Sequence, residues 1–360
     1  MNNGKNIGLY VHIPFCLSKC PYCDFYSVKY GNEAAKLYKS AVIRNISYYK
    51  SKFDTVFFGG GTPILLWKEI CEILEKADIE SSAEITVEAN PCLANEEIFK
   101  ALLKAGVNRI SFGVQSLNDN ELKSLGRRHS AFTAINAIEL AHACGFGNIS
   151  ADIMLGTEDQ TAASVTDTLK GLASLPLTHI SAYMLKIEEN TPYAKTRLKL
   201  PEEDEVCEIY LNTVAFLEAK GLNQYEISNF AREGYACAHN IKYWNCEEYL
   251  GIGPASHSFY KGERFFVKRD INAFCESKIQ KTELEEKHPA SAEEYAMLRL
   301  RLCDGLNLKE YEKRGGNAKK MTENIKKLPR KLVFLKDGNV LLTPEGFLLS
   351  NTVIGRLLGY

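Results

Sequence analysis

The chain lacks any apolar run near the ~20 residues needed to span a bilayer. It also lacks charge of one sign. Its 44 Lys and Arg against 45 Asp and Glu leave a net charge of −1, which gives no general attraction to nucleic acid or to an acidic membrane. The opening residues carry a single lysine before a strand-like run, so no secretory leader is expected and a reducing cytoplasm is the expected compartment. No G-x-G-x-x-G opens the helix after the first strand, which excludes a Rossmann site. No Gly-Lys-Ser/Thr follows the glycine run at 59–61, which excludes a P-loop. Internal repeats and low-complexity tracts are absent. Eleven cysteines are present, but Cys71, Cys92, Cys144, Cys207, Cys237, Cys246, Cys275 and Cys303 have no metal-ligand spacing and read as small hydrophobic fillers. Only Cys16, Cys20 and Cys23 cluster, and no fourth cysteine stands beside them.

What the chain does have is 45% apolar residues over 360 positions, enough for one large core and a smaller one. Short β-rich runs at 7–13, 54–61, 83–91, 108–115, 149–156 and 179–185 alternate with helix-like segments. That alternation predicts an α/β fold with a parallel sheet and right-handed crossovers. Near-continuous apolar runs such as "TVFF" and "ISFGV" fit strands covered on both faces. Six units predict a partial (β/α)6 barrel over residues 1–200. Its chemistry is expected at the C-terminal ends of the strands. There stand the cysteines, Gly59-Gly60-Gly61-Thr62-Pro63, Glu88-Ala89-Asn90-Pro91 and Gly113-Val114-Gln115. Residues 201–275 read as an α/β extension, 276–294 as a polar linker, and 290–360 as a winged-helix-like α+β domain. Within the last, Lys336-Asp337-Gly338-Asn339 is a hairpin signal and Thr343-Pro344 a helix start.

A C-x3-C-x2-C loop after a first strand can hold three irons of a [4Fe–4S] cluster, leaving the fourth iron open to a small molecule. If S-adenosylmethionine (SAM) chelates that iron, one electron from the cluster can break its C–S bond and release a 5′-deoxyadenosyl radical. A zinc site borrowing a distant ligand and three unrelated buried thiols are the alternatives that spacing leaves open.

The stretches "YVHIPFCLSKCPYCDF", "GGGTP", "EANP", "NRISFGVQS", "LGRRH" and "GIGPASH", in this order, resemble the radical SAM family of oxygen-independent coproporphyrinogen III oxidase-like proteins to about residue 265. The resemblance implies that Cys16, Cys20 and Cys23 hold the cluster. It implies that Tyr10 and Tyr22 pack against SAM, and that Gly60, Gly61 and Thr62 turn backbone amides to its amino-acid end. Glu88, Gln115, Arg127 and Asp152 would complete the pocket, with Arg127 suited to a carboxylate. No catalytic residue is assigned.

Two branches of the family differ in readable ways. The decarboxylating oxidase, an oxidoreductase of porphyrin biosynthesis, carries one more cysteine after the cluster triad and an N-terminal extension. Here that position is Phe25, and the cluster loop begins at residue 16. The heme-chaperone branch matches at "HNIKYW": His239 is an expected axial ligand, and Tyr243 and Trp244 offer flat faces to heme. The expected function is therefore a heme chaperone that binds heme, a [4Fe–4S] cluster and SAM and delivers heme to apo-proteins. The oxidase is the alternative. An electron donor for the cluster is implied as a partner. A homodimer and peripheral membrane contact through the basic stretch 313–331 stay open, and no nucleic acid is expected. His12 reads as a support beside the cluster loop and His257 as structural or as part of the SAM wall. Gly156-Thr157-Glu158 replaces the family's Gly-Leu-Pro, which predicts a looser rim loop.

Overall fold

The computed structural model describes residues 7–360; residues 1–6, on which the expectation about a secretory leader falls, lie outside the described part. Strands β1 (Ile7–Ile13), β2 (Lys52–Gly60), β3 (Asp78–Ala89), β4 (Arg109–Gln115), β5 (Asn148–Leu155) and β6 (His179–Met184) lie side by side in chain order and parallel. Helices α1 (Asn32–Tyr49), α2 (Trp67–Leu74), α3 (Glu96–Lys104), α4 (Ala131–Cys144) and α5 (Ala162–Ala173) make the crossovers. Local chemistry sets their ends. Asn95, Ser130 and Thr161 cap the starts of α3, α4 and α5 through side-chain oxygens, and Gly145 closes α4 at φ +117°.

After α6 (Glu203–Ala219), β7 (Asn223–Gln224) and β8 (Asn229–Ala231) pair antiparallel beyond β6. Helix α7 (Ala238–Trp244) follows. Then β9 (Tyr249–Ile252) adds a seventh parallel strand on the other side of β1, and β10 (His257–Tyr260), β11 (Glu263–Val267) and β12 (Thr282–Glu286) continue antiparallel. The twelve strands run β12-β11-β10-β9-β1-β2-β3-β4-β5-β6-β8-β7. The polar stretch 276–294 is thus not a free linker. Its β12 is the outer edge, kept unattractive to further strands by exposed glutamates. Buried Gln280 donates its side-chain amide to the Gly251 carbonyl and its backbone N–H to Asn45 Oδ1.

Alternation along each strand builds two environments. Leu9, Val11, Ile13, Ile110, Phe112, Val114, Ile149, Ala151 and Ile153 join one apolar core. The intervening positions carry Tyr10, His12, Arg109, Ser111, Ser150, Asp152, His179 and Ser181. These runs look largely apolar because most of their polar members are small or aromatic; the alternate positions line a polar interior.

The last segment orders helix 292–299, β13 (Leu306–Asn307), helices 308–313 and 318–325, β14 (Val333–Lys336), β15 (Asn339–Leu342), and helices 344–348 and 350–358. Strands β13, β15 and β14 make a small separate sheet. The hairpin turns on Asp337 (φ +51°) and Gly338 (φ +80°), and Thr343 caps the helix after it. Among the described residues no helix is long and apolar enough to cross a membrane.

Candidate cofactor site

Where β1 ends, Phe15 is fully buried and held edge-on by Tyr30 and Tyr38. Phe15–Cys16 pairs with Val28–Lys29 and closes the base of the cysteine loop. Cys16, Cys20 and Cys23 are free, half-buried thiols that line one cavity of about 430 Å³. Thiols spread along one rim suit the separate irons of a cluster. Thr62 Oγ1 donates to Cys16 Sγ at 3.5 Å and Arg127 Nη1 to Cys20 Sγ at 3.6 Å. Burial raises the Cys23 pKa.

The cavity floor is formed by the strand ends. Glu88 closes β3, and its pKa is pushed up to about 8 by burial first and by the facing Asp152 second. Asp152 on β5 is raised by burial as well, while Ser181 and Ser111 hydrogen bonds oppose the shift. In β4 the register slips between Gly113 and Gln115, and Gln115 takes a left-handed φ of +72°. This bulge aims Gln115 into the cavity, a strain of the kind found at binding sites. A Cβ on Gly113 would lie 2.9 Å from Gln115 Nε2 and 3.2 Å from Arg127 Nη2, so a larger residue there would push those two side-chain ends aside. Arg127 is pinned by its Nη2 donating to the Gly113 carbonyl at 2.5 Å, while its Nε is buried without a partner.

Tyr22, Gly60, Gly61, Thr62, Glu88, Gln115, Arg127 and Asp152 all line this cavity beside the three cysteines. Tyr10 does not. It packs deeper, its hydroxyl 3.0 Å from His12 Nδ1 and its ring beside Phe57 and His239. The expected backbone amides are not free either. Gly60 N–H donates to Glu88 Oε2, Gly61 N–H to the Ile13 carbonyl and Thr62 N–H to the Phe15 carbonyl. The glycines serve internal packing, since a Cβ on Gly60 would meet the His12 ring at 2.7 Å and one on Gly61 the Phe15 carbonyl at 2.6 Å. His12 is buried and bonds the Tyr26 carbonyl through Nε2, and burial lowers its pKa to about 4. It therefore braces the loop as a neutral ring.

His239 lies apart from this cavity, at the N-terminal ends of the strands. It opens α7 and is 0% exposed. Its Nδ1 is 2.9 Å from Thr55 Oγ1, its Nε2 is 2.8 Å from Tyr243 Oη, and its ring stacks on Phe57. With both nitrogens engaged it offers no ligand position in this conformation. Tyr243 is turned inward to it, and Trp244, half-buried, is not in the cavity. Gly8 makes room for the ring: a Cβ there would lie 3.0 Å from His239 Cε1. His257 is the exposed first residue of β10, paired with Glu285 and stacked on Phe266, and it does not line the cavity. The 156–158 loop is tied rather than loose. Gln160 accepts from Gly156 N–H and donates to Glu121 and the Met154 carbonyl, while Glu158 accepts from Ser124 and from Lys199 N–H.

Sequence reading did not single out Ser111, Met154 or Tyr183, which also line the cavity. Ser111 and Met154 share the inward parity of Gly113 and Asp152, so counting by twos would have found them; Tyr183 follows only from the pairing of Ser181 with Asp152, two positions before it on β6. Phe25, singled out as a departure from the oxidase, stands at the rim and is 65% exposed.

A barrel of parallel strands with a cysteine loop after β1 and a cation-pinned, carboxylate-floored cavity at its C-terminal rim defines the radical SAM class. Residues 10–172 match the Radical SAM superfamily. The chain is 35% identical over 373 residues to the heme chaperone HemW of Bacillus subtilis, covering 97% of this chain and 98% of that one. It is 35% identical over 342 residues to HemW of Haemophilus influenzae, covering 88% of each. In structure it superposes on the Escherichia coli coproporphyrinogen III oxidase HemN, a radical SAM enzyme, with a TM-score of 0.82 at 21% identity, over 99% of this chain and 90% of that one. The chain belongs to the HemW family of radical SAM proteins. That family implies a [4Fe–4S] cluster and SAM. The cavity fits them: three thiols on one rim, an orphaned guanidinium nitrogen for a carboxylate, and two carboxylates for a cation. When bound, the cluster would supply one electron and an open iron.

Proposed function

We propose that this chain is a heme chaperone of the radical SAM type. It holds a [4Fe–4S] cluster on Cys16, Cys20 and Cys23 and binds SAM in the cavity above Glu88 and Asp152. It binds heme and passes it to apo-proteins. The observation that carries the reading is the likeness to a curated heme chaperone along 97% of the chain. Phe25 supports it: a bulky exposed aromatic stands at the cavity rim where the oxidase branch would place another thiol.

In the SAM site, Arg127 binds the ligand carboxylate, Gln115 bonds a polar edge, and the Glu88–Asp152 pair faces its positive charge. His239, Tyr243 and Trp244 form the heme site in a second conformation. There α7 leaves its seat, and the Thr55 and Tyr243 bonds to the imidazole open. Burial lowers the His239 pKa to about 3, so the ring is neutral in its seat, and a neutral imidazole is the form that ligates iron.

The test is anaerobic cluster reconstitution followed by heme titration, read by absorption, on the wild type and His239→Ala. Stoichiometric uptake by the wild type and its loss in the variant are expected. Equal uptake by both moves the heme away from His239. No uptake by either, with coproporphyrinogen decarboxylation present, replaces the carrier by the oxidase.

A further inference from the structure

Beneath the cavity floor lies a charge that no ligand contact uses. Arg109, the first residue of β4, belongs to the polar interior of the barrel and is 2% exposed. Its Nε has no hydrogen-bond partner, and neither has Oγ1 of Thr86, its neighbour in register on β3. A guanidinium keeps its proton at any ordinary pH, so a positive charge is fixed inside the barrel. Left alone there it would be strongly unfavourable. On the α7 side the Cys237 thiol, Glu84 and Tyr225 face it. Glu84, however, is already engaged, accepting from the Ala238 and His239 N–H groups and from Cys237. His179 and His239 face it too, as rings that burial keeps neutral.

On the cavity side stand Glu88 and Asp152. Register sets Glu88 level with Ser111, two positions beyond Arg109 along β4, and Asp152 level with Gly113, four positions beyond. Burial raises both carboxyls, and Arg109 opposes the rise at each; at Asp152 it opposes more than Arg127 does from the rim. The phenols of Tyr10, Tyr183 and Tyr243 also face this floor, but burial raises each of them, so they bring no charge. Two buried carboxyls that face each other tend to share a proton unless a cation supports them. Once a ligand carboxylate occupies Arg127, Arg109 is the cation left beneath them. We propose that Arg109 is a positioning residue of this cavity: it keeps negative charge on the Glu88–Asp152 floor and so makes the site prefer a sulfonium ligand to its neutral thioether counterpart. The sulfonium is SAM; the thioether is S-adenosylhomocysteine, which lacks one methyl group and the positive charge. Asp152 lines the cavity while Arg109 lies two side-chain layers below, so the ligand feels the carboxylate more strongly than the guanidinium. The inference rests on SAM occupying this cavity and not on where heme binds.

The experiment titrates SAM and S-adenosylhomocysteine into reconstituted full-length protein by calorimetry, from about pH 6 to about pH 9. Wild type should prefer SAM by about tenfold or more near neutral pH. Arg109→Met is expected to lose about tenfold of that preference there, because the floor carboxyls take up protons. It should recover the preference as alkali ionises them, with its profile displaced upward by about one pH unit. Its affinity for S-adenosylhomocysteine should stay unchanged, and Arg109→Lys, which keeps the charge, should follow wild type. A damaged fold would not bind SAM poorly at neutral pH and well in alkali. Equal affinity of the wild type for the two compounds overturns the proposal with no variant needed, so the test survives an Arg109→Met chain that does not fold. An unchanged SAM profile in Arg109→Met, or equal loss of both compounds at every pH, overturns it as well. A wild type that binds neither compound removes SAM from the cavity, and the inference falls with that reading.

Discussion

The same seven parallel strands end in two different ways. At their C-terminal ends, Glu88, Asp152, Gln115 and Arg127 face a cavity, and one guanidinium nitrogen is left without a partner. At their N-terminal ends, Asp54, Thr55 and Glu84 each bond to α7. Lys242 pairs with Asp54 at 2.8 Å, Thr55 meets His239, and the Glu84 carboxylate accepts from the Ala238 and His239 N–H groups and the Cys237 thiol. A further bond, Arg299 to Asn245 at 2.5 Å, ties the end of α7 to the C-terminal helices. One mouth leaves its polar groups facing a cavity; the other is covered by a helix that engages Asp54, Thr55 and Glu84, although Asp54 Oδ1 and Arg109 Nε stay without a partner there. Burying such groups unpaired costs about 1–3 kcal/mol each, so the helix lowers that cost at its end, while the open end keeps its groups for a ligand.

The largest test of this contrast is removal of a thiol. Cys20→Ala is expected to abolish the cluster absorbance after anaerobic reconstitution while leaving the melting temperature of the cluster-free protein near wild type. A variant that melts far lower would mean that the cysteine loop is a structural part of the barrel.

Next in size is the pH dependence at the open end. Glu88 has a folded pKa of about 8 against an ordinary 4.5. Its folded state therefore holds a proton that the unfolded chain has lost, and its contribution to stability falls as pH rises from 4.5 through 8. A bound cation favours the carboxylate, so SAM affinity should rise about tenfold per pH unit below 8 and level off above it. Calorimetry in buffers of different ionisation enthalpy should show proton release near pH 7. Glu88→Gln should flatten the profile, and an unflattened one assigns the titration to Asp152.

How much of this was legible in the sequence depends on which neighbours a residue needs. The cysteine loop, the βα alternation and the strand-end positions of Glu88, Gln115 and Asp152 follow from local order, and all of these residues meet at one rim. The roles of Gly60, Gly61 and Thr62 did not follow, because their amides are taken by Ile13, Phe15 and Glu88, partners that only strand pairing brings near. The burial of His239 has the same origin: Gly8, 231 positions earlier in the chain, opens the space that its ring fills. The seventh parallel strand was hidden by shortness, since the four residues of β9 carry no periodicity of their own.

At the closed end, Glu84→Ala should lower stability by about 1–3 kcal/mol, because it uncaps α7 and leaves its first N–H groups bare. For a chain of this size that is a fall of several degrees in melting temperature. Acid should destabilise both ends. His12 and His129 have folded pKa values of about 4, His239 about 3, and burial holds His179 low as well. Each is neutral when folded and charges when unfolded, so stability should fall as pH drops from 6.5 toward 4. Denaturant midpoints across that range test the sign, and His239→Gln should make the decline shallower.

The smallest change asks what α7 is for. Tyr243→Phe removes one hydroxyl, the partner of His239 Nε2 at 2.8 Å, and keeps the ring that packs against His239 and Tyr249. The loss to folding should be about 0.5–1.5 kcal/mol. If α7 only plugs the barrel, that is the whole effect. If His239 is also the heme ligand, the same substitution frees its nitrogen and loosens its seat, so heme association should become faster while stability falls. A variant that loses stability without gaining in heme association rate returns His239 to a structural role and sends the search for the heme site elsewhere on the chain.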